Sequence, residues 1–506
     1  MSNAEDQKTE PIAAATPKQR LLAAEDAGYG KALKKRQLEM IAIGGAIGTG
    51  LFLGAGGRLN IAGPFLAVLY AIAGFFAFMV VRALGELVVH RPTSGSFVSY
   101  AREFIGEKGA YVAGWMYFLV WATGGIADVT AVAIYTHYWD AFAGIPQWVI
   151  ALVALVIVLS INLVSVRYFG ELEYWCAMIK VAALVLFLMI GTYVLGSRQT
   201  VDGNVTGPQL IADNGGMLPH GLLAAILVVP GVVFAYAALE MVSIAAGETP
   251  EPRKIVPKAT NAIVWRIGIF YVGSVALLAM LLPWSSYSAT ESPFVTFLSS
   301  IGISGAGGIM NFVVLTAALS SVNSGLYATG RILRSMSVAG SAPKFTGHMN
   351  KRHVPHGGIL LTAAFYLLGI ALNYWIPADA FNVVLNFSAL GILTTWAFIM
   401  VSHLVFVRRA KRGLASRPGY RLPGSPATDI VTLVFLLTVY VLMWFDGLTG
   451  KVTVLAVVPI GLALWGGWYA VRGRVGRVAE QFASDSIAAT GDAPTAVPPQ
   501  RSSGEQ

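Results

Sequence analysis

The sequence predicts an all-α polytopic membrane protein with about twelve transmembrane helices. Of its 506 residues, 56% are apolar and only 12% are charged, about half the charged share of a typical soluble domain. The apolar residues form long runs, each able to cross a hydrocarbon core of about 30 Å as a helix. Glycine is abundant, with 55 residues, as expected where helices pack closely in lipid.

Short polar loops separate these apolar runs. The approximate bounds of the runs are Leu38–Leu59, Pro64–Val89, Gly109–Trp139, Trp148–Val166, Tyr174–Leu195, Leu222–Ala246, Asn261–Leu282, Ile309–Met336, Gly358–Trp375, Ala380–Val407, Ile430–Trp444 and Val452–Val471. Residues 1–30 and 476–506 are polar or rich in Ser, Ala and Pro, so we expect two disordered cytoplasmic tails around a transmembrane domain over residues 31–475. The N-terminal residues do not show a charged start followed by an apolar core, so no cleavable signal peptide is predicted.

Lysine and arginine are distributed unevenly between the two sets of loops. One set carries almost all of them, whereas the other has only Arg58, Arg198 and Lys451. The positive-inside rule makes the first set cytoplasmic, and both termini with it. This bias accounts for the net charge of +9, so we expect no nucleic-acid partner. The one cysteine, Cys176, excludes an internal disulfide and a cysteine-based zinc site, and no metal or other cofactor is predicted.

The first apolar run contains four glycines within seven positions, from Gly44 to Gly50. Each is a poor helix former, so the run predicts an interrupted helix. The backbone N–H groups at the start of the second half-helix would suit a carboxylate. A tight glycine contact between helices is the alternative. A nucleotide loop is disfavoured because no strand precedes the glycines.

Three of the ionisable residues within the apolar runs stand out, because burial of charge is costly there and each is a candidate functional group. Glu240 follows Pro230 and Gly231, which weaken the helix of the sixth run. We interpret Glu240 as an acid with a structural or a proton-linked role. Lys180 in the fifth run could occupy the place of a coupling cation, or could snorkel toward an interface. Asp128 in the third run predicts either a polar substrate contact or an acid that packs helices together.

The first and sixth runs are both interrupted and lie five runs apart. This spacing predicts an inverted repeat whose substrate binds at mid-membrane between the two breaks. Without a phosphate-binding motif, an ion gradient is the simplest energy source. The eighth run adds a polar stripe around Ser321 and Asn323, which could either contact a substrate or bridge helices.

Several segments resemble signatures of bacterial amino-acid permeases in the amino acid–polyamine–organocation superfamily. Ile41–Phe52 resembles the first-helix signature, and Gly85–Leu87 with Pro92–Phe97 resembles the next. Gly247–Thr249 with Pro257–Ala259 resembles the segment after the sixth helix. The likeness covers roughly residues 30–475. It implies a LeuT-like 5+5 inverted repeat plus two C-terminal helices, in the cytoplasmic membrane.

Within that family, the third and eighth runs look like those of asparagine permeases. The matching segments are Trp121–Thr123 with Gly125–Ala131, and Leu315–Ser321 with Asn323–Tyr327. The resemblance implies proton symport of a neutral L-amino acid, with L-asparagine as the expected substrate, by alternating access. Glutamine, aspartate, GABA or proline as substrate, amino-acid exchange, a channel and a transporter-like nutrient receptor remain alternatives. No oligomeric state is predicted.

The same resemblance implies roles for individual residues. Carboxylate binding falls to Gly48, Thr49 and Gly50, and ammonium binding to the break at Phe234, Ala235 and Tyr236. For an amide substrate, Asp128 would accept a hydrogen bond, and Ser321 or Asn323 would donate one. Lys180 matches a lysine that stands in for sodium in proton-coupled relatives, and Glu240 matches an acid after the sixth-helix break. Ala238 departs from the pattern, because many relatives have glycine there.

Overall fold

The computed structural model describes residues 17–30, 33–44, 47–249, 251–303, 305–375 and 380–491. Within these ranges the chain is helical apart from loops and one antiparallel hairpin, formed by β1 (Thr200–Val201) and β2 (Asn204–Val205). The α-helices, in chain order, are α1 Pro17–Asp26, α2 Lys35–Gly44, α3 Thr49–Phe52, α4 Gly54–Ala62, α5 Leu66–His90, α6 Ser96–Phe104, α7 Glu107–Thr136, α8 Gln147–Val164, α9 Val166–Gly196, α10 Pro208–Asp213, α11 Gly221–Leu227, α12 Val229–Phe234, α13 Met241–Ala246, α14 Pro252–Arg266, α15 Ser274–Leu281, α16 Pro293–Ser300, α17 Ala306–Val338, α18 His356–Trp375, α19 Ala380–Lys411, α20 Ala427–Met443 and α21 Gly447–Gly491.

Among the described residues, eight helical segments are long and apolar enough to cross a membrane, and three shorter apolar helices accompany them. Together with the interrupted first run, these segments give the twelve spans that the sequence predicts. In the most apolar stretches of α7, α17 and α19, 78%, 72% and 72% of the residues are buried, whereas none is buried in that of α21. The bundle is therefore built around α7, α17 and α19, and α21 lies at its edge.

Both predicted helix interruptions are present. In the first span α2 ends at Gly44 and α3 begins at Thr49. In the sixth span α12 ends at Phe234 and α13 begins at Met241, with a series of turns between them. Ala238 in these turns has a positive φ of 72°, a left-handed conformation that favours glycine.

The two interruptions lie against each other. A Cβ added to Gly50 would stand 2.6 Å from the Cα of Ala235, so only glycine permits this approach. A π-helical segment at Ile267–Gly273 joins α14 to α15 and brings Tyr271 to the same place. The Tyr271 hydroxyl donates to the carbonyl of Ala235 at 3.2 Å. The first, sixth and seventh spans thus meet at one point inside the bundle.

Helical structure extends into both segments that the sequence predicts to be tails. Helix α1 lies within the expected disordered segment 1–30, and its Leu21 and Leu22 are buried. Glu25 is also buried and forms an ion pair with Arg102 of α6. At the other end, α21 continues past residue 475 to Gly491. The leucine pair and the buried ion pair attach α1 to the bundle, and α21 extends the last span into residues expected to belong to the C-terminal tail.

Candidate functional site

A narrow cavity of about 30 Å³, whose walls stand close together, lies where the two interruptions meet. The residues around it are Gly48, Thr49, Gly50, Val120, Trp121, Gly124, Asp128, Phe234, Ala235, Ala237, Ala238, Ser321 and Ser388. Seven of the residues that the sequence analysis names for substrate binding are in this set: the three of the first break, Phe234, Ala235, Asp128 and Ser321.

Asp128 connects three spans at the cavity. Its Oδ1 accepts a hydrogen bond from the Thr49 hydroxyl at 2.7 Å, and its Oδ2 accepts one from the Ser321 hydroxyl at 2.5 Å. The side chain is almost fully buried, so these two donors replace the water that an aspartate normally binds. Each carboxylate oxygen has a second lone pair, which leaves Asp128 able to accept from a further donor.

Gly48 leaves open space at the start of α3. Nothing lies within 4 Å of the position that a Cβ would occupy there. The residue precedes α3 in an extended conformation, and its carbonyl accepts hydrogen bonds from Leu51 and Phe52. The N–H groups of the first turn of a helix have no preceding turn to bond, so the cavity meets backbone donors at this wall.

Phe234 separates the cavity from a second, wider one of about 330 Å³, since its side chain borders both. We call the second cavity the vestibule; it is also lined by Arg58 and Asp446. The Arg58 guanidinium donates to the Gly50 carbonyl at 3.0 Å, above the cavity. Burial raises the pKa of the Asp446 carboxyl, an effect that the Asn386 amide and the Arg58 charge oppose. The vestibule therefore offers both signs of charge outside Phe234.

Lys180 lies outside the cavity, in a separate polar network. Its Nζ donates to the Ser320 hydroxyl at 2.9 Å and lies 4.0 Å from Oε1 of Glu173. Ser320 in turn donates to the same Glu173 oxygen at 2.6 Å. Both charged side chains are buried. The lysine is therefore not snorkelling toward an interface, and its charge is matched inside the bundle.

Asn323 belongs to this network and not to the cavity, contrary to the sequence analysis. Its Nδ2 donates to Glu173 at 3.3 Å, and its Oδ1 accepts from Asn162 at 2.7 Å. The reason is helical geometry. Successive residues turn by about 100°, so Ser321 and Asn323 point about 200° apart and cannot face one site.

Tyr236 also lies away from the cavity, although its two predecessors line it. Its hydroxyl donates to the Tyr70 carbonyl at 2.7 Å, and its ring stacks on Tyr271 with centroids 4.7 Å apart. The Tyr236 side chain therefore has a structural role, and the expected binding of ammonium at the break stays a prediction. The side chain fixes the break against the second and seventh spans.

Glu240 is fully buried just after the sixth-span break and does not line the cavity. Tyr117 and Trp396 are its polar neighbours. Within the described chain, neither of its oxygens has a hydrogen bond of normal geometry. Its surroundings fit a carboxyl group that carries a proton better than a carboxylate, because an unpaired buried charge is costly.

The sequence analysis did not single out Glu173, Trp121, Arg58 or Ser388 as candidates. A signal existed for two of them. Glu173 lies seven positions before Lys180, and Trp121 lies seven positions before Asp128. Seven residues are about two helical turns, so each pair shares a helix face. Arg58 and Ser388 carry no comparable sequence signal, because tertiary packing alone brings them to the two cavities.

The end of the bundle that carries α1 is closed by a charged layer. Arg331 donates to Glu248, and the Arg331 guanidinium lies 3.3 Å from the centre of the Tyr327 ring. The Tyr327 hydroxyl also donates to Glu248, at 3.0 Å. Arg334 donates to the carbonyls of Glu25 and Ala27, at 2.6 and 2.5 Å. The vestibule end has no equivalent layer among the described residues that line it.

Comparison with known proteins adds a family and named relatives. The model of the family described as amino acid permease matches residues 37–474. The L-asparagine permease of Streptomyces coelicolor is 64% identical over 458 residues, which cover 90% of this chain and 94% of the relative. That of Escherichia coli is 59% identical over 461 residues, covering 91% and 92%. L-asparagine permease 1 of Mycobacterium tuberculosis is 56% identical over 479 residues, covering 94% and 97%.

Proposed function

Because the chain belongs to the amino acid permease family, we propose that it is a secondary active transporter that imports L-asparagine with protons across the cytoplasmic membrane. Family membership and the apolar spans support a multi-pass membrane protein that transports an amino acid. The three relatives named L-asparagine permease, at 56–64% identity, support asparagine as the substrate.

The observation that carries the proposal is the meeting of two helix breaks beside a buried aspartate. An amino acid in this cavity places its α-carboxylate at the backbone donors of Gly48, Thr49 and Gly50. Its ammonium lies toward the break at Phe234 and Ala235. The side-chain amide donates to Asp128, which has lone pairs left for it, and Ser321 supplies a hydroxyl beside it.

The different closures of the two ends support alternating access. Toward the vestibule a single aromatic side chain, Phe234, covers the site, whereas the α1 end is closed by the Glu248–Arg331 layer. We assign the α1 end to the cytoplasm, where the positive-inside rule places it. Asparagine enters from the vestibule past Phe234. The narrow cavity widens to admit it, and the cytoplasmic layer then opens.

Proton coupling is assigned to Lys180, with Glu240 as a second titrating group. Lys180 binds Ser320, whose neighbour Ser321 binds Asp128, so one helix, α17, contacts both the cation and the substrate site. A change in the position of α17 on substrate binding alters the surroundings of Lys180. Loss of the lysine should therefore uncouple transport from the proton gradient more than it weakens substrate binding.

The test is uptake of radiolabelled asparagine into proteoliposomes, competed by unlabelled amino acids. Gradient-stimulated uptake that asparagine competes best supports the proposed substrate, whereas competition only by glutamine or aspartate would replace it. Uptake that requires a preloaded amino acid would make the protein an exchanger. Lys180→Ala should abolish accumulation against the asparagine gradient, and Lys451→Ala, at an exposed position near the start of α21, is the matched control. Normal accumulation by Lys180→Ala would contradict the coupling role.

A further inference from the structure

Glu173 on α9 has no role in the function proposed above, yet it is buried in the network that holds Lys180. We propose that Glu173 is the group that receives the transported proton from Lys180, through the Ser320 hydroxyl, and passes it to the cytoplasm. This inference rests on the proposed proton symport and adds the exit step for the proton.

The hydrogen-bond directions around Ser320 form a relay. Its oxygen accepts from Nζ of Lys180 at 2.9 Å, and its hydroxyl proton points to Oε1 of Glu173 at 2.6 Å. The direct separation between Nζ and Oε1 is 4.0 Å, too long for a hydrogen bond. A proton moving from the lysine to the glutamate therefore passes through the serine.

The transfer is balanced within these three side chains. An N–H bond of the Lys180 ammonium breaks as its proton bonds to Oγ of Ser320. The original O–H bond of Ser320 breaks as that proton bonds to Oε1 of Glu173. The products are a neutral amine, an unchanged serine and a carboxylic acid. The buried pair has zero net charge before and after, so no net charge is added to the interior of the bundle.

The charged and polar groups that face this pair lie on α9, α7 and α17. Lys180 faces Glu173 and Cys176 on its own helix and Asp128 on α7. Helix α17 contributes no charge here, only Ser320 and the Asn323 amide. Lys180 also has a further contact beyond these. Among these groups Glu173 is the carboxylate that shares a hydroxyl with Lys180, whereas the oxygens of Asp128 bind Thr49 and Ser321.

Glu173 also lies at the right depth for proton release. Phe169, one helical turn nearer the start of α9, stacks on Tyr327 with centroids 3.9 Å apart. Tyr327 belongs to the charged layer that closes the α1 end, through its bond to Glu248. Glu173 is therefore just inside that layer. When the layer opens, the carboxylic acid gains access to water and loses its proton to the cytoplasm.

The experiment compares Glu173→Gln with wild-type full-length protein in proteoliposomes that hold a pH-sensitive dye. Asparagine-driven proton entry and radiolabelled asparagine uptake are measured together, and counterflow against preloaded asparagine is measured without a gradient. We expect proton entry to fall at least about tenfold, while counterflow continues near the wild-type rate. Glu173→Asp, which keeps the acid, should restore part of the proton flux. Glu171→Gln, two positions away and paired with Arg36 and Gln37, is the matched control.

Undiminished proton entry per asparagine in Glu173→Gln would overturn the inference. If that variant does not fold, as judged by absent counterflow, Ser320→Ala serves instead, because it keeps both charges and removes the relay. Normal coupling in Ser320→Ala would contradict the inference equally. A failure of the proposed function is separate: wild-type protein would then take up asparagine without proton entry.

Discussion

Ser320 and Ser321 are neighbours on α17, yet their hydroxyls bind two different buried carboxylates. Ser321 donates to Asp128 at the cavity, and Ser320 donates to Glu173 in the network of Lys180. Because adjacent helical residues point about 100° apart, one helix touches both sites without the sites touching each other. In the proposed transport cycle, this relationship would link substrate binding mechanically to proton transfer.

The serine pair leads to the first prediction, a separation of binding from coupling. Ser321→Ala should raise the dissociation constant for asparagine about tenfold, about 1.4 kcal/mol, because Asp128 loses one of its two donors. The number of protons per asparagine should stay unchanged. Ser320→Ala should do the reverse, with near-normal affinity and reduced coupling. Calorimetric binding and dye-reported proton flux measure the two effects, and equal effects of both variants on both readouts would contradict the link.

The contact between the two breaks leads to the second prediction. Gly50→Ala introduces a Cβ against the backbone of Ala235, which cannot shift without moving the sixth span. We expect the free energy of unfolding to fall by about 1–3 kcal/mol and transport to be lost. Gly48→Ala is the control, since nothing lies within 4 Å of its Cβ position. It should unfold at the wild-type temperature and still bind asparagine more weakly, because the new methyl group enters the cavity space.

Ala238 leads to the third prediction. A left-handed conformation costs an ordinary residue about 1–2 kcal/mol, and glycine would remove most of that cost. Ala238→Gly should therefore raise the thermal unfolding temperature in detergent, even though glycine disfavours the folded chain by about 0.5–1 kcal/mol. Ala237→Gly is the matched control, because Ala237 is the neighbouring alanine and does not have a positive φ. That control should lower the unfolding temperature, and two equal shifts would argue against strain at Ala238.

The buried pair of Glu25 and Arg102 leads to the fourth prediction. Arg102 also contacts Glu107 at 3.0 Å, but both Glu25 and Arg102 are almost fully buried. Removing one partner of a buried pair costs about 3–5 kcal/mol, so Glu25→Gln should release α1 and speed tryptic cleavage at Arg20. Glu251→Gln breaks an exposed pair with Lys254 and should leave cleavage unchanged. Protection of Arg20 in Glu25→Gln would contradict the role of this pair.

The fold and the helix breaks were predictable because both depend on local composition. Long apolar runs predict spans, and clustered glycines near Gly48 or a Pro-Gly pair at Pro230 predict weak helices. The symmetry of the two breaks predicts only that they lie near each other. The close contact between Gly50 and Ala235 depends on tertiary packing that involves Tyr271, which is far away in the sequence.

Two parts of the site were missed for different physical reasons. Asn323 was grouped with Ser321 by polarity, whereas helical periodicity turns the two side chains away from each other. Glu173 was not predicted as a candidate because it lies near the start of a span. Its spacing from Lys180 nevertheless places both residues on one face of the helix. Helix α1 was not predicted because its segment is largely polar; among its described side chains, two leucines and the glutamate of the ion pair are buried.

The measurement that tests the central claim most directly is simultaneous recording of asparagine uptake and proton entry in proteoliposomes that contain the wild-type protein. The account predicts that external asparagine drives protons inward, and that an imposed inward proton gradient accumulates asparagine above its external concentration. Lys180→Ala should lose both effects and keep measurable asparagine binding. Asparagine entry without proton movement, or accumulation that persists when the proton gradient is collapsed, would contradict it.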